Sequence, residues 1–367
     1  MLNRRDNSCI FHRSSFALAL VLGILGLNGC STATPPSVAP PPVQNTPLST
    51  YNLQGDVSLI HDPTIIRQGN KYYVLSTDPG NQPGLPQVGL LPILCSSDKI
   101  TWKRCGQVFN APPPSVLAVF PSQTTLWAPD VSYFSGLYHV YYAASTFGSN
   151  RSLIGLATSP TMEPTDAAYK WTDQGVVFST KTGDASNAID PNVLVDTDAT
   201  GGITHVWLTY GSFFGGIYQF ELDPSTGMRS ASNSAINRLA ARPSVADNSI
   251  EGASLVKHNG YYFLFVSFGS CCNTPYTSST YQIAVGRGPS AQGPFTDQSG
   301  VAMLQGGGTI LLSTSGNYTA PGGESVYIDP TGGDLITFHA LSNAQNGLDY
   351  LFVKSLTWPS DWPVITP

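Results

Sequence analysis

His61-Asp-Pro-Thr-Ile-Ile-Arg-Gln-Gly-Asn-Lys71-Tyr-Tyr-Val-Leu-Ser76 contains an acid-led apolar strand, a Gly-Asn turn and an aromatic-rich second strand. Gly-Asn supplies the positive φ that a tight hairpin demands. The same unit recurs as Pro129-Asp-Val-Ser-Tyr with Leu137-Tyr-His-Val-Tyr-Tyr, and as Asp190-Pro-Asn-Val-Leu with Thr204-His-Val-Trp-Leu-Thr. It returns as Glu251-Gly-Ala-Ser-Leu with Tyr261-Tyr-Phe-Leu-Phe-Val, and as Glu324-Ser-Val-Tyr-Ile with Asp334-Leu-Ile-Thr-Phe-His. Copies spaced by about 60 to 73 residues leave room for four short antiparallel strands each. The repeat therefore predicts an all-β, five-bladed β-propeller over residues 53–367. A two-sheet sandwich would not require five similar units.

Composition agrees with short strands and many turns: 36 Gly, 29 Pro and 11% charged residues, against roughly 25% charged in soluble domains generally. A net charge of −6 without a basic stripe argues against a nucleic-acid partner. Arg4, Arg5 and Arg13 precede an apolar run from Phe16 to Leu27, too short for a bilayer and suited to a signal-peptide core, so residues 1–29 are expected to direct export. Leu27-Asn-Gly-Cys30 resembles a bacterial lipobox, with Cys30 as the lipidated residue. The Pro/Ser/Thr-rich stretch 30–52 would then be a tether. Membrane contact is expected only through that lipid, in the bacterial cell envelope; cleavage near Ala33 would instead release a secreted protein. A monomer is expected. In an oxidising compartment Cys95 and Cys105, flanking a hairpin, are candidates for a disulfide. The adjacent Cys271 and Cys272 could pair or remain two small buried side chains.

In a propeller the innermost strand of each blade lines a central channel, and equivalent strand ends meet at one mouth. Asp62, Asp190 and Glu251, leading the first strands of blades one, three and four, should converge there. Clustered carboxylates suit a cation site or general acid/base chemistry, since mutual repulsion raises at least one pKa.

The ordered set His61-Asp-Pro, Leu126-Trp-Ala-Pro-Asp-Val, Ala188-Ile-Asp-Pro-Asn, Gly211-Ser-Phe-Phe-Gly-Gly-Ile and Ile250-Glu-Gly-Ala resembles glycoside hydrolase family 43, and within it the arabinanases. The resemblance implies inverting hydrolysis of α-1,5-linked L-arabinan, with Asp62 as general base, Glu251 as general acid and Asp190 tuning the acid and orienting the sugar. It further implies Trp127 and Phe147 as sugar platforms, His61, Asn192 and Ser212 as polar contacts, and a channel calcium held by His339 and waters. Phe214 stands where relatives often carry Trp, and Pro321-Gly-Gly-Glu departs from the family's Pro-Gly-His. A β-xylosidase or α-L-arabinofuranosidase of the same family would use the same three acids. A non-catalytic sugar-binding propeller would be expected to have lost one of them.

Overall fold

The computed structural model describes residues 53–79, 89–331 and 333–366. The expected signal peptide, Cys30 and the tether lie outside the described residues. Each repeat folds into an antiparallel four-stranded sheet whose strands follow chain order. Blade one comprises Thr64–Gln68, Lys71–Leu75, Leu90–Ser96 and Thr101–Phe109; blade two, Trp127–Phe134, Leu137–Ala144, Ser152–Ser159 and Thr172–Thr180. Blade three is Asn192–Thr197, Ile203–Tyr210, Ile217–Leu222 and Asn237–Ala240; blade four, Ile250–His258, Tyr261–Phe268, Gln282–Gly288 and Thr309–Leu312. Blade five is Tyr318–Tyr327, Leu335–Ser342, Leu348–Thr357 and Val364–Thr366. The one described α-helix is a single turn, Pro114–Leu117.

Second strands such as Leu137-Tyr-His-Val-Tyr-Tyr-Ala-Ala are buried along nearly their whole length because both faces of a blade are covered. Successive side chains point to opposite faces of a sheet. Tyr73 and Leu75 pack against blade two, while Tyr72 and Val74 pack against blade five. Likewise Leu264 and Val266 join blade three, and Phe263 and Phe265 join blade five. Each of five apolar clusters thus sits between successive blades, and the core is a ring of interfaces.

Closure of that ring rests on the residues just before blade one. Gln54–Gly55 runs parallel to the outer strand of blade one, and Asp56 N donates to Trp102 O. Immediately afterwards, Leu59 N donates to Asp349 O and Leu351 N donates to Val57 O on blade five. One short segment therefore clasps first and last blades together.

Around the channel the five innermost strands share one backbone device. Asp62, Ala128, Asp190, Gly252 and Gly323 all have positive φ (48°, 41°, 54°, 61° and 58°), each two residues before a register-matched polar residue: Thr64, Asp130, Asn192, Ser254 and Ser325. These polar side chains stitch neighbouring blades. Thr64 Oγ1 accepts the Val131 N–H, Asp130 Oδ2 that of Val193, Asn192 Oδ1 that of Leu255 and Ser254 Oγ that of Val326, while Ser325 Oγ meets Thr64 Oγ1 at 3.3 Å. At Asp62, Ala128 and Asp190 the stitch holds this conformation against a cost of about 1–3 kcal/mol per site, whereas Gly252 and Gly323 adopt it freely.

This register corrects the expectation that the acids occupy equivalent places. Asp62 and Asp190 take the left-handed position itself, Glu251 precedes it by one residue, and Asp130 and Glu324 follow it. Cys95 is joined to Cys105, closing a loop of 10 residues worth about 2–3 kcal/mol at best in the loop-entropy model.

Candidate active site

A cavity of about 900 Å³ opens at one end of the channel, lined by His61, Asp62, Trp127, Phe147, Asp190, Ser212 and Glu251 among others. The propeller thus brings together seven residues singled out in the sequence. Phe147 is 77% exposed, so its ring face is available for stacking. Trp127 is held by its Nε1–H on Thr125 Oγ1 at 3.2 Å.

The three acids sit in different surroundings. Asp62 Oδ2 accepts from Thr77 Oγ1 at 2.7 Å, its Oδ1 lies 3.5 Å from His61 Nε2, and its backbone N–H donates to His339 Nδ1. His61 is in turn held by Asp349 Oδ1 at 3.1 Å. Burial opposes a charge on His61, but Asp62 and Asp349 outweigh it and raise its pKa to about 10, so a cation stands beside Asp62. Glu251 has the opposite setting. Burial raises its pKa, with the charge of Asp62 adding to the effect, while hydroxyl donors oppose it. Those donors are Ser212 Oγ, 2.6 Å from Oε2, and the Tyr281 hydroxyl on Oε1. Asp190 is pushed well above the usual carboxylate range, first by burial and then by Glu251 and Asp62. Its Oδ2 accepts the Gly252 N–H at 3.2 Å. Asp190 and Glu251 cannot both ionise cheaply, and the pair keeps a proton to higher pH than a separate carboxyl group in water would.

Two expected residues lie elsewhere. Asn192 does not reach the main cavity: it is buried in the channel, its amide donating to Asp130 Oδ1 at 3.0 Å and its Oδ1 taking the Leu255 N–H. The expectation of a sugar contact is corrected to an inter-blade stitch, because Asn192 is two residues past the left-handed Asp190 and so below the acids. His339, fully buried, stacks on His61 at 3.7 Å between ring centroids and supports Asp62 from behind. Sequence reasoning missed Thr77, Asp349 and Tyr281, which come from loops or from a third strand and carry no repeat signal. The bonded pair Cys271–Cys272 lines the cavity, with Cys272 Sγ 3.6 Å from His61 Nε2.

A raised acid, an acid beside a cation, and aromatic rings around one cleft form the constellation of a glycosidase. The family model described as glycosyl hydrolases family 43 matches residues 57–363. The chain belongs to glycosyl hydrolase family 43. As a member of that family it is similar to extracellular endo-α-(1→5)-L-arabinanase 1 of Bacillus subtilis strain 168, 38% identical over 306 residues, covering 83% of this chain and 87% of that one. It is also similar to an extracellular exo-α-(1→5)-L-arabinofuranosidase of Cellvibrio japonicus strain Ueda107, 33% identical, covering 83% and 86%. The solved structure of Cellvibrio cellulosa α-L-arabinanase complexed with arabinohexaose superposes with a TM-score of 0.74 at 32% identity, covering 85% of this chain and 96% of the other. This family 43 glycosidase is thus a five-bladed β-propeller with its acids at one mouth.

Proposed function

We propose that this glycosidase hydrolyses α-1,5-linked L-arabinan within the chain and with inversion at the anomeric carbon. The observation that carries the reading is the division of labour among the acids. Asp62, beside protonated His61 and the Thr77 hydroxyl, has the environment of a carboxylate that takes a proton from water. Glu251, buried and raised, has that of the acid that protonates the leaving oxygen. Asp190, raised by burial and by the charges of Glu251 and Asp62, is coupled to Glu251, so the two carboxyl groups share a proton instead of both ionising. A cavity of about 900 Å³ accommodates several sugar units, which favours a polymer over a single glycoside. The arabinan-active relatives and the arabinohexaose complex support the substrate class. Timed product analysis on debranched arabinan tests it: mixed oligomers first support internal cleavage, one product size from the outset means end-wise action, and cleavage only of xylosides or aryl arabinosides would overturn the reading.

The chain is further proposed to be exported and anchored through Cys30, the names of the extracellular relatives supporting export. For the channel, a hydrated divalent cation such as calcium is proposed. His339 Nε2 and Glu324 Oε1 are buried and have no hydrogen-bond partner among the described residues. Asp62, Asp130, Asp190, Asn192, Glu324 and Ser325 line a narrow cavity of about 30 Å³, room for about one water or ion. The donor set fits. Because His339 Nδ1 accepts the Asp62 N–H, the neutral ring carries its proton on Nε2 and would meet the ion through water, whereas Glu324 Oε1 could bind it directly. When bound, the ion would offset the negative charge of the channel.

A further inference from the structure

Glu251 is gripped from two sides, and one grip comes from a residue that the three-acid scheme does not include. Tyr281 opens the third strand region of blade four, is fully buried, and places its hydroxyl on Glu251 Oε1. Ser212 Oγ holds Oε2 from blade three at 2.6 Å. Blade five is bare where the tyrosine enters: a Cβ on Gly322 would lie 2.3 Å from Tyr281 Cδ2, so only glycine admits the ring. Gly322 holds in blade five the register position that Glu251 holds in blade four.

We propose that Tyr281, together with Ser212, is a positioning residue that orients the Glu251 carboxyl group and stabilises it increasingly as it gives up its proton to the leaving oxygen. The proposal rests on Glu251 being the general acid. A hydroxyl hydrogen bond to a carboxylate is stronger than one to a neutral carboxylic acid. As the O–H bond of Glu251 breaks and the leaving oxygen gains the proton, negative charge grows between two fixed donors, so their help is larger in the transition state than before it. Tyr281 stays a neutral donor throughout, since burial and the nearby Glu251, Asp190 and Asp62 push its own ionisation far upward. The other titratable groups facing Glu251 are the carboxylates of Asp62 and Asp190 and the His61 cation; among the described residues, Ser212 and Tyr281 are the hydroxyls hydrogen-bonded to its oxygens.

The test is Tyr281→Phe in the full-length enzyme, assayed on arabinan and on an aryl arabino-oligosaccharide whose phenol departs without protonation. Loss of a donor should raise the Glu251 pKa and move the alkaline limb of the arabinan pH profile to higher pH. It should lower kcat on arabinan about ten- to a hundredfold, with KM little changed and the aryl substrate much less affected. Equal losses on both substrates with an unmoved limb would overturn the proposal and leave Tyr281 as packing. Should Tyr281→Phe fail to fold, Ser212→Ala is read by the same limb and the same pair of substrates. Glu251→Gln is the control for the underlying assignment: if it keeps arabinan hydrolysis, Glu251 is not the acid and the proposal falls with that assignment, whereas loss on arabinan with retained aryl cleavage upholds the assignment and lets Tyr281 be judged by itself.

Discussion

The backbone N–H of Asp62 donates to Nδ1 of His339 at 3.1 Å, across 277 residues of sequence. Blades one and five therefore meet directly behind the residue assigned as base. Gly323 completes the contact: a Cβ there would lie 2.5 Å from Asp62 Oδ1 and 2.7 Å from His339 Cε1, and its φ of +58° independently disfavours a side chain. Gly323→Ala should displace Asp62 and lower kcat about a hundredfold, the scale at which a misplacement of about 1 Å is felt. Steady-state kinetics beside a thermal melt check it; a wild-type kcat in Gly323→Ala would show that Asp62 tolerates the shift.

Asp62→Asn and Glu251→Gln should each cost several orders of magnitude on arabinan. Asp190→Asn should lose rate and move the alkaline limb to lower pH, opposite to Tyr281→Phe, because the proton that the coupled carboxyl groups share is then held by Glu251 alone. For inversion, the carboxyl groups of Asp62 and Glu251 must admit a water between base and sugar. NMR of the first-formed product reads the outcome directly: net retention or a trapped glycosyl-enzyme would falsify the mechanism.

Burial raises Asp130 from 3.8 to about 7 and Glu324 from 4.5 to about 8. Both groups therefore hold a proton in the folded chain that the unfolded chain releases. Their contribution to stability is fully present below about pH 4 and is lost as pH rises towards pH 8. Taken alone, the pair should make the melting temperature fall across that window, and Asp130→Asn should flatten the lower part of the fall. A channel cation favours the ionised forms and should reduce the slope. Melting curves against pH, with calcium and after exhaustive dialysis against a chelator, test this; identical curves with and without calcium would remove the cation from the channel.

Cys30→Ser should release the protein from the membrane fraction, as the proposed lipidation of Cys30 requires. Cell fractionation with detergent phase partitioning measures it. Equal solubility of wild type and variant would mean ordinary secretion.

Five blades and the mouth shared by Asp62, Asp190 and Glu251 were legible in the repeat itself, whereas Trp127 and Phe147 were singled out only by the resemblance to family 43. The reason is local: a hairpin with its turn and its period-two burial is written in adjacent residues, and repeating it five times dictates where equivalent strand ends go. What the tertiary structure alone decided is offset by single residues. Glu251 stands one place before the left-handed Gly252 whereas Asp62 and Asp190 occupy the left-handed position itself, and two residues beyond a left-handed turn is enough to move Asn192 from the sugar cleft to the channel stitch. The partners of the acids were not legible, because Thr77 leaves a strand end, Tyr281 immediately precedes a third strand and Asp349 sits in blade five, 288 residues from the His61 it holds. The Asp349–His61 contact exists only once the clasp at residues 54–59 closes the ring and makes neighbours of the first and last blades, whereas Thr77 and Tyr281 reach their acids within blades one and four through loop geometry that no local pattern encodes.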